Sequence, residues 1–336
     1  MTRKKNRPPQ VALVGAGYWG KNLARDLSAL GALRTVCDPD PAVRAKNLSD
    51  RPGLKAVGTL GEALLDDEIK AVVIAAPAPL HCDLTLEALA AGRDVLVEKP
   101  LALSVADGEK MAGAARLHGR ILMVDHLLNR HPAYRELRAK CLKGELGPRL
   151  LLGSRRHNFG KLRTDENVLW SFAPHDVAMI LGIAGPPKRV FATGGGGVTP
   201  GVEDWAEATL EYGDGPRAHV SVSWVSPEKE QRLTVAGGRM TAVFDDAAPW
   251  EKKLRLFANR VSRSSGRPEA VKDPAGGTAV PLEKVEPLLE QCKLFLECVE
   301  TRKQPDDSGP GEALQVLGVL LALDKSLKSG RWESLE

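Results

Sequence analysis

The sequence contains no CxxC pair. Its five cysteines, Cys37, Cys82, Cys141, Cys292 and Cys298, are odd in number and scattered. That excludes a disulfide framework and a cysteine-held zinc site, and no metal is expected. Free thiols in a reducing, cytoplasmic compartment are the simplest account. A long hydrophobic run is missing too. The longest C-terminal apolar stretch, Val316–Leu323, is interrupted by Gly318, and it falls well short of the roughly 20 residues that span a bilayer. No transmembrane helix and no membrane partner are expected. Charge of one sign is also missing: 47 Lys+Arg stand against 43 Asp+Glu, a formal +4. Composition therefore offers no argument for nucleic-acid binding. The basic start, MTRKKNRPPQ, precedes an apolar run, VALVGAG, that is too short for a signal-peptide core, so it reads as a frayed tail. There is no internal repeat and no low-complexity segment.

What is present is a chain of 336 residues, long enough for two domains. The pattern changes after about Leu127, which predicts residues 1–126 as one domain and 127–336 as another. In the first part, short apolar runs alternate with helical patterns. Val11–Val14, Leu33–Cys37, Ala71–Ala75, Val95–Val97 and Ile121–Val124 read as strands. Between them, Leu23, Leu27 and Leu30 have helical spacing and Gly31 suits the helix end. Thr59 with Glu62 has capping-box spacing, Leu84–Ala91 is helical, and Ser104 with Asp107 caps a helix running to about His118. Strands alternating with helices predict an α/β domain with a parallel sheet covered on both faces.

The first strand–helix turn is GAGYWG, Gly15–Gly20. It fits G-x-G-x-x-G in the required context. The glycines permit a tight turn and close approach of a pyrophosphate, while the helix N-terminus offers free N–H groups. Gly15, Gly17 and Gly20, with Tyr18 and Trp19 between them, are candidate cofactor contacts. Asp38 ends the second strand, 18 residues past Gly20. That is close to the spacing of an acid that binds the adenosine ribose. A carboxylate there would repel a 2′-phosphate and favours NAD over NADP. The other reading of Asp38 is a turn residue in DPDP. A second rim feature is LVEKPLAL, Leu96–Leu103, in which an apolar strand runs into Glu98, Lys99 and Pro100. Either the charges are a solvated strand end, or Lys99 is a reactive amine at the sheet edge where ligands of α/β proteins bind.

The second part differs. Pro132–Leu142 looks helical. In Ala206–Tyr212 and His219–Val225 apolar and polar residues alternate with period two, and Gly213-Asp-Gly-Pro joins them as a hairpin. Arg232–Val235 and Met240–Phe244 continue the meander around Gly237-Gly238. The expectation is an α+β domain with an open, mostly antiparallel sheet and one polar face, a surface suited to homo-oligomer contact. Arg260–Gly277, rich in Ser, Gly, Pro and charge, reads as a mobile excursion. Two helices, about Leu288–Glu300 and Gly311–Lys328, finish the chain.

With GAGYWG, the run VVIAAPAPLHCDLTLEALAAGRDVLVEKPLAL (Val72–Leu103) and the ending EPLLEQCKLFLECVETRKQP in view, the sequence resembles the glucose-fructose oxidoreductase and inositol dehydrogenase (Gfo/Idh/MocA) family over nearly its whole length. The middle run is the specific part: strand, Pro77, His81, helix, Gly92, strand, Glu98-Lys99-Pro100. The resemblance implies a Rossmann domain followed by a mixed α/β domain, and nicotinamide-dependent oxidation or reduction of a sugar-like alcohol. It implies that Lys99 lies near the nicotinamide and hydrogen-bonds the reacting hydroxyl, with Pro77, His81 and Glu98 near the cofactor. The peptide bond before Pro100 is expected to be cis. It further implies a catalytic histidine at a helix start in TDENVLWSFAPHDVAMIL, Thr164–Leu181, and His175 matches it. A helix-start imidazole has a lowered pKa, which suits a neutral base. Family members often carry an aspartate four residues earlier. Here that position is Ser171, so Asp165 or Asp176 would have to orient His175, or Lys99 would carry more of the proton transfer. Without the resemblance, His175 reads as a plain helix or core residue. His131 is placed near the interdomain cleft.

The stretch RRHNFGKLRTDENVLWSFAPHD is similar to a branch of the family, the UDP-N-acetylglucosamine 3-dehydrogenases. That implies NAD-dependent oxidation of the C3 hydroxyl of a nucleotide-activated amino sugar, whose 3-keto product would suit an aminotransferase acting next without a stable complex. Arg155, Arg156 and Arg163 are candidates for the diphosphate. Each alone reads as a surface charge. Asn158 and Trp170 are candidates for the sugar or its N-acetyl group. The alternatives are a nucleotide-sugar 3-ketoreductase, a free inositol or polyol dehydrogenase, and a non-enzymatic NAD-binding regulator.

Overall fold

The computed structural model describes residues 7–51, 53–160, 162–164, 166–213, 215–262 and 266–335. They divide into two units, Met1–Leu127 with Glu286–Leu317, and Leu128–Val285 with Gly318–Glu336. A single boundary after residue 126 does not describe this division, because a C-terminal segment returns to the first unit.

The first unit alternates strand and helix: β1 (Gln10–Val14), α1 (Gly20–Ala29), β2 (Leu33–Cys37), α2 (Pro41–Asp50), β3 (Lys55–Val57), α3 (Leu60–Leu64), β4 (Ile69–Ile74), α4 (His81–Ala90), β5 (Asp94–Val97), α5 (Val105–Leu117) and β6 (Leu122–Val124). The sheet is parallel, in the order β3-β2-β1-β4-β5-β6. That is the doubly wound dinucleotide-binding order. β1 and β5 are buried along their whole length, because helices cover both faces and leave no polar side. Thr59 and Ser104 cap α3 and α5 as their spacing predicts, accepting from the N–H groups of Glu62 and Asp107. The sequence reading missed α2 and β3. DPDP is both turn and helix start, with Asp40 accepting the Ala42 N–H at 2.8 Å and Pro41 in the first turn.

The second unit comprises α6 (Pro132–Leu142), β7 (Arg149–Phe159), α7 (Val168–Ala184), β8 (Arg189–Gly195), β9 (Trp205–Glu211), β10 (Ala218–Ser223), β11 (Val225–Gly237), β12 (Thr241–Asp245), β13 (Leu254–Phe257), β14 (Arg260–Ser262), β15 (Glu269–Val271) and β16 (Thr278–Ala279). The chain ends in α8 (Pro287–Thr301), α9 (Pro310–Ser329) and β17 (Glu333–Ser334). Nine strands form one sheet in the order β16-β13-β12-β11-β7-β10-β9-β8-β17. All its pairs are antiparallel except β10 with β7. α7 packs on one face against β7, β9 and β10. The other face is polar, with Arg155, Glu207 and His219 pointing from it. Within the stretch expected to be mobile, β14 pairs antiparallel with β15, and residues 263–265 lie outside the described residues.

Why Glu286–Leu317 returns is visible in α8. Leu288, Cys292, Phe295, Leu296 and Val299 share one helix face and join a single core with Leu23 and Leu27 of α1 and Val11 and Leu13 of β1. Burying each large apolar side chain contributes about 1.5–3 kcal/mol, so this face fixes α8 to the first unit. The five cysteines are free, and Cys37, Cys292 and Cys298 are buried. Among the described residues no helix is long and apolar enough to cross a membrane.

Candidate active site

In the first unit the candidate groups line the carboxyl edge of the parallel sheet. Gly15 follows β1 with φ +82°, and a Cβ there would lie 2.8 Å from the Ala75 carbonyl oxygen. A Cβ on Gly20 would lie 1.9 Å from the Gly15 oxygen, whereas one on Gly17 would meet nothing within 4 Å. Two glycines therefore close the turn and the third leaves its outer surface open. No side chain caps the start of α1, and the Lys21 and Asn22 N–H groups donate to the Gly17 and Trp19 carbonyl oxygens at 3.2 and 2.9 Å. This is a cradle that fits a dinucleotide pyrophosphate. Tyr18 stands 76% exposed above it.

Asp38 follows β2 and is buried. Its Oδ2 accepts the Ala16 N–H at 2.9 Å and its Oδ1 accepts the Asp40 N–H at 3.0 Å. The carboxylate thus fastens the glycine turn to the second strand, and its bond to the Asp40 N–H is that of a turn residue in DPDP. Pro77 lies exposed after β4. His81 is placed differently from a cofactor contact. It is 1% exposed, with Nδ1 2.8 Å from the Pro100 oxygen and Nε2 2.9 Å from the Ala76 oxygen. It clamps two rim loops together from beneath, and burial lowers its pKa against the pull of both carbonyls.

Glu98 and Lys99 follow β5, and the Lys99–Pro100 peptide is cis. The Trp19 indole N–H donates to Glu98 Oε1, and the Lys99 N–H lies 3.2 Å from Glu98 Oε2. One carboxylate therefore ties the glycine turn to the backbone of the lysine. The sequence reading missed Asp125 and His126, which follow β6 on the same edge and are 1% and 2% exposed. Their signal was positional: they end the last apolar run of the domain. Burial first, then the Glu98 charge, holds the Asp125 carboxyl well above its usual range, while Lys99 opposes this. Burial and then the Lys99 charge push His126 down to about 4. Neither His126 ring nitrogen has a hydrogen-bond partner among the described residues.

In the second unit α7 is capped by Asn167, whose side-chain oxygen accepts the N–H groups of Leu169 and Trp170 at 3.1 and 3.3 Å. His175 therefore sits seven residues past the first residue of α7, not at its start, and the field of the helix terminus fades within the first turn. Pro174 brings no N–H to the carbonyl one turn back. Ser171 lies on the same helix face as His175 and its Oγ accepts the Trp224 indole N–H at 2.9 Å. Asp176 does not serve His175. It is engaged by Arg156, with Nε 2.6 Å from Oδ2, and by the Ser154 hydroxyl. Asp165 lies outside the described residues. Strand alternation explains Arg156: along β7, Ser154 and Arg156 point toward α7, while Arg155 points to the open face and meets Glu230 at 3.7 Å. Arg155 and Arg156 thus cannot grip one diphosphate. Arg163 is paired with Glu166 at 2.6 Å, and Asn158 and Trp170 are half-buried.

His131, expected near a cleft, is the N-cap of α6. Its Nδ1 accepts the Ala133 N–H at 3.1 Å, and its Nε2 is 3.5 Å from Asp246. Burial pushes it down to about 4, with Asp246 opposing. His126 and His131 are thus neutral in the folded chain at pH values where the unfolded chain, with a histidine pKa of roughly 6.5, is protonated. Unfolding takes up protons between about pH 6.5 and 4, so their contribution is present above that window and is lost as pH falls through it. Asp125, with a raised pKa, has the opposite sign and loses its contribution as pH rises. From the two histidines, the unfolding free energy measured in urea is expected to fall between pH 7 and about 4.5 by on the order of a few kcal/mol, with Asp125 offsetting part of it. His131→Gln, which keeps a cap acceptor but cannot protonate, is expected to flatten that fall; an unchanged slope would count against this origin.

Comparison with known proteins identifies a family for both parts of the chain. Residues 10–126 match the pattern of the oxidoreductase family with an NAD-binding Rossmann fold, and residues 134–243 match the GFO/IDH/MocA C-terminal domain. The chain belongs to the Gfo/Idh/MocA family. As in that family, its first unit is an NAD-binding Rossmann domain. A protein of Magnetospirillum magnetotacticum MS-1 solved by crystallography is 32% identical with a TM-score of 0.81, over 94% of this chain and 99% of that one. The UDP-N-acetylglucosamine 3-dehydrogenase of Acidithiobacillus ferrooxidans is 29% identical over 67% of this chain and 70% of its own length. The 4-carboxy-2-hydroxymuconate-6-semialdehyde dehydrogenase of a Sphingobium strain is 30% identical over 55% of this chain and 62% of its own.

Proposed function

We propose that this Gfo/Idh/MocA protein is an NAD-dependent dehydrogenase that oxidises the C3 hydroxyl of a nucleotide-activated amino sugar, UDP-N-acetylglucosamine being the preferred candidate. The observation that carries this reading is the Trp19–Glu98–Lys99 connection. It sets the only lysine of the EKP motif on the same edge as the glycine turn. NAD, when bound, supplies the acceptor for the hydride that leaves the carbinol carbon. The chain's own residues do the rest. Lys99 presents its amine to the reacting hydroxyl and stabilises the developing oxyanion. Asp125 retains its proton to higher pH than an ordinary carboxyl, which leaves Glu98 as the nearby counter-charge and keeps the Lys99 charge from being over-neutralised. Asp38 is proposed to hold the adenosine ribose. His175 is the proposed proton acceptor, with Arg163, Asn158 and Trp170 as contacts for the sugar nucleotide. Support for the substrate class comes from the 29% identical UDP-N-acetylglucosamine 3-dehydrogenase.

The test is incubation with NAD or NADP and a panel of UDP-sugars, dTDP-sugars, free inositols and other polyols. 2-Oxoglutarate is added in parallel to reoxidise the cofactor, since 3-keto sugar formation is unfavourable. A 3-keto product from UDP-N-acetylglucosamine with NAD is the expected result. Turnover of free polyols alone would replace the nucleotide-sugar reading, and a preference for NADP would overturn the role given to Asp38.

A further inference from the structure

At the amino ends of β4 and β5, opposite the edge that carries the glycine turn, the first unit has a hollow of about 790 Å³. Five cations line it: Arg7, Lys70, Arg93, Arg120 and Arg302. Its acids are Asp94 and Glu300. Asp94 is already spent, because it pairs with Arg302 and also accepts the Ile121 N–H at 2.8 Å. Glu300 is exposed. Among the described residues Lys70 donates only to the Asp67 carbonyl oxygen, at 2.7 Å, and Arg93 meets the fully exposed Asp67 carboxylate no closer than 3.8 Å. Arg120 has no ion pair among the described residues, and its Nη2 lies 3.4 Å from where a Cβ on Gly92 would stand. The Nε atoms of Arg93 and Arg120 are buried donors without an acceptor among the described residues. Such donors are costly unless a ligand or solvent satisfies them.

We propose that this hollow binds a small polyanion bearing a diphosphate or two phosphate groups. Guanidinium forks match phosphate oxygens in pairs, and the volume lies within the roughly 300–1,000 Å³ of small-molecule sites. The site is separate from the dinucleotide cradle. β5 runs from Asp94 at the hollow to Val97, just before Glu98, and at about 3.3 Å per residue that places the two sites at opposite ends of the strand.

Calorimetric titration of pyrophosphate into NAD-saturated protein at low ionic strength tests this, since bound NAD blocks the glycine turn. The expected result is one saturable site, weakened at least about tenfold in the Arg93→Gln/Arg120→Gln double variant. Lys70→Gln, at an exposed position that does not threaten folding, is expected to weaken it about threefold. Inorganic phosphate is expected to bind more weakly than pyrophosphate. Absence of saturable binding, or binding unchanged in Lys70→Gln and in the folded double variant, overturns the proposal. Because it concerns the amino edge only, it stands or falls apart from the dehydrogenase reading; without NAD affinity the same titration is run on the free protein.

Discussion

Lys99→Ala is expected to lower kcat for the sugar nucleotide by about 10²–10³-fold, the cost typical of removing one preorganised donor from a developing oxyanion. NAD affinity is expected to stay within about threefold, because the side chain is not part of the glycine turn. Glu98, which the Trp19 indole holds, supports Lys99 through its backbone N–H; that bond does not depend on the lysine side chain. The variant therefore keeps the rim intact and removes only the amine. Lys99→Arg retains charge but has a different length and shape, and it is expected to recover little. Stopped-flow turnover alongside fluorescence titration of NAD separates the two effects. A variant that turned over at the wild-type rate would remove Lys99 from the chemistry, and one that lost NAD binding instead would make it a cofactor residue.

The second large effect is expected at Asp176. The carboxylate is 1% exposed and Arg156 is 8% exposed, and two guanidinium nitrogens lie at 2.6 and 3.4 Å from its oxygens. Asp176→Ala leaves a buried guanidinium without a counter-ion and should destabilise the protein by about 3–5 kcal/mol. Replacing both partners, as in Arg156→Met with Asp176→Leu, removes the charges together and should cost far less, since most of the single-variant penalty is the stranded charge. Urea unfolding of the two variants measures the difference. If the single variant lost less than about 1 kcal/mol, Arg156 would have to be reaching water, and the reading of β7 given above would be wrong.

This pair also shows where sequence reading stopped. RRHNFG presents two adjacent arginines, and in a linear chain they look like one cluster. A strand sends neighbours to opposite faces, so only after β7 is paired with β10 and β11 does Arg156 become a core residue and Arg155 a surface one. Asp176 is similar: that it directly follows His175 in sequence says nothing about which base its carboxylate meets, and it meets Arg156.

Several features were legible without coordinates because they depend on local periodicity and chain stereochemistry. The alternation of short apolar runs with helical spacing specified a covered parallel sheet. Gly15 and Gly20 had to be glycines because the turn leaves no room for a Cβ. Thr59 and Ser104 cap their helices through atoms three residues away. The placement of Lys99 at a strand end followed from the abrupt change from Val97 to Glu98. What only the tertiary structure decided depends on contacts between distant parts of the chain. Among them are the return of α8 to the first unit, the burial of Asp125 and His126 beside Lys99, the clamp made by His81, and the basic hollow whose lining runs from Arg7 to Arg302. Local sequence sets which backbone shapes are cheap; long-range packing sets which charges lose water, and that is what gives each of these residues its role.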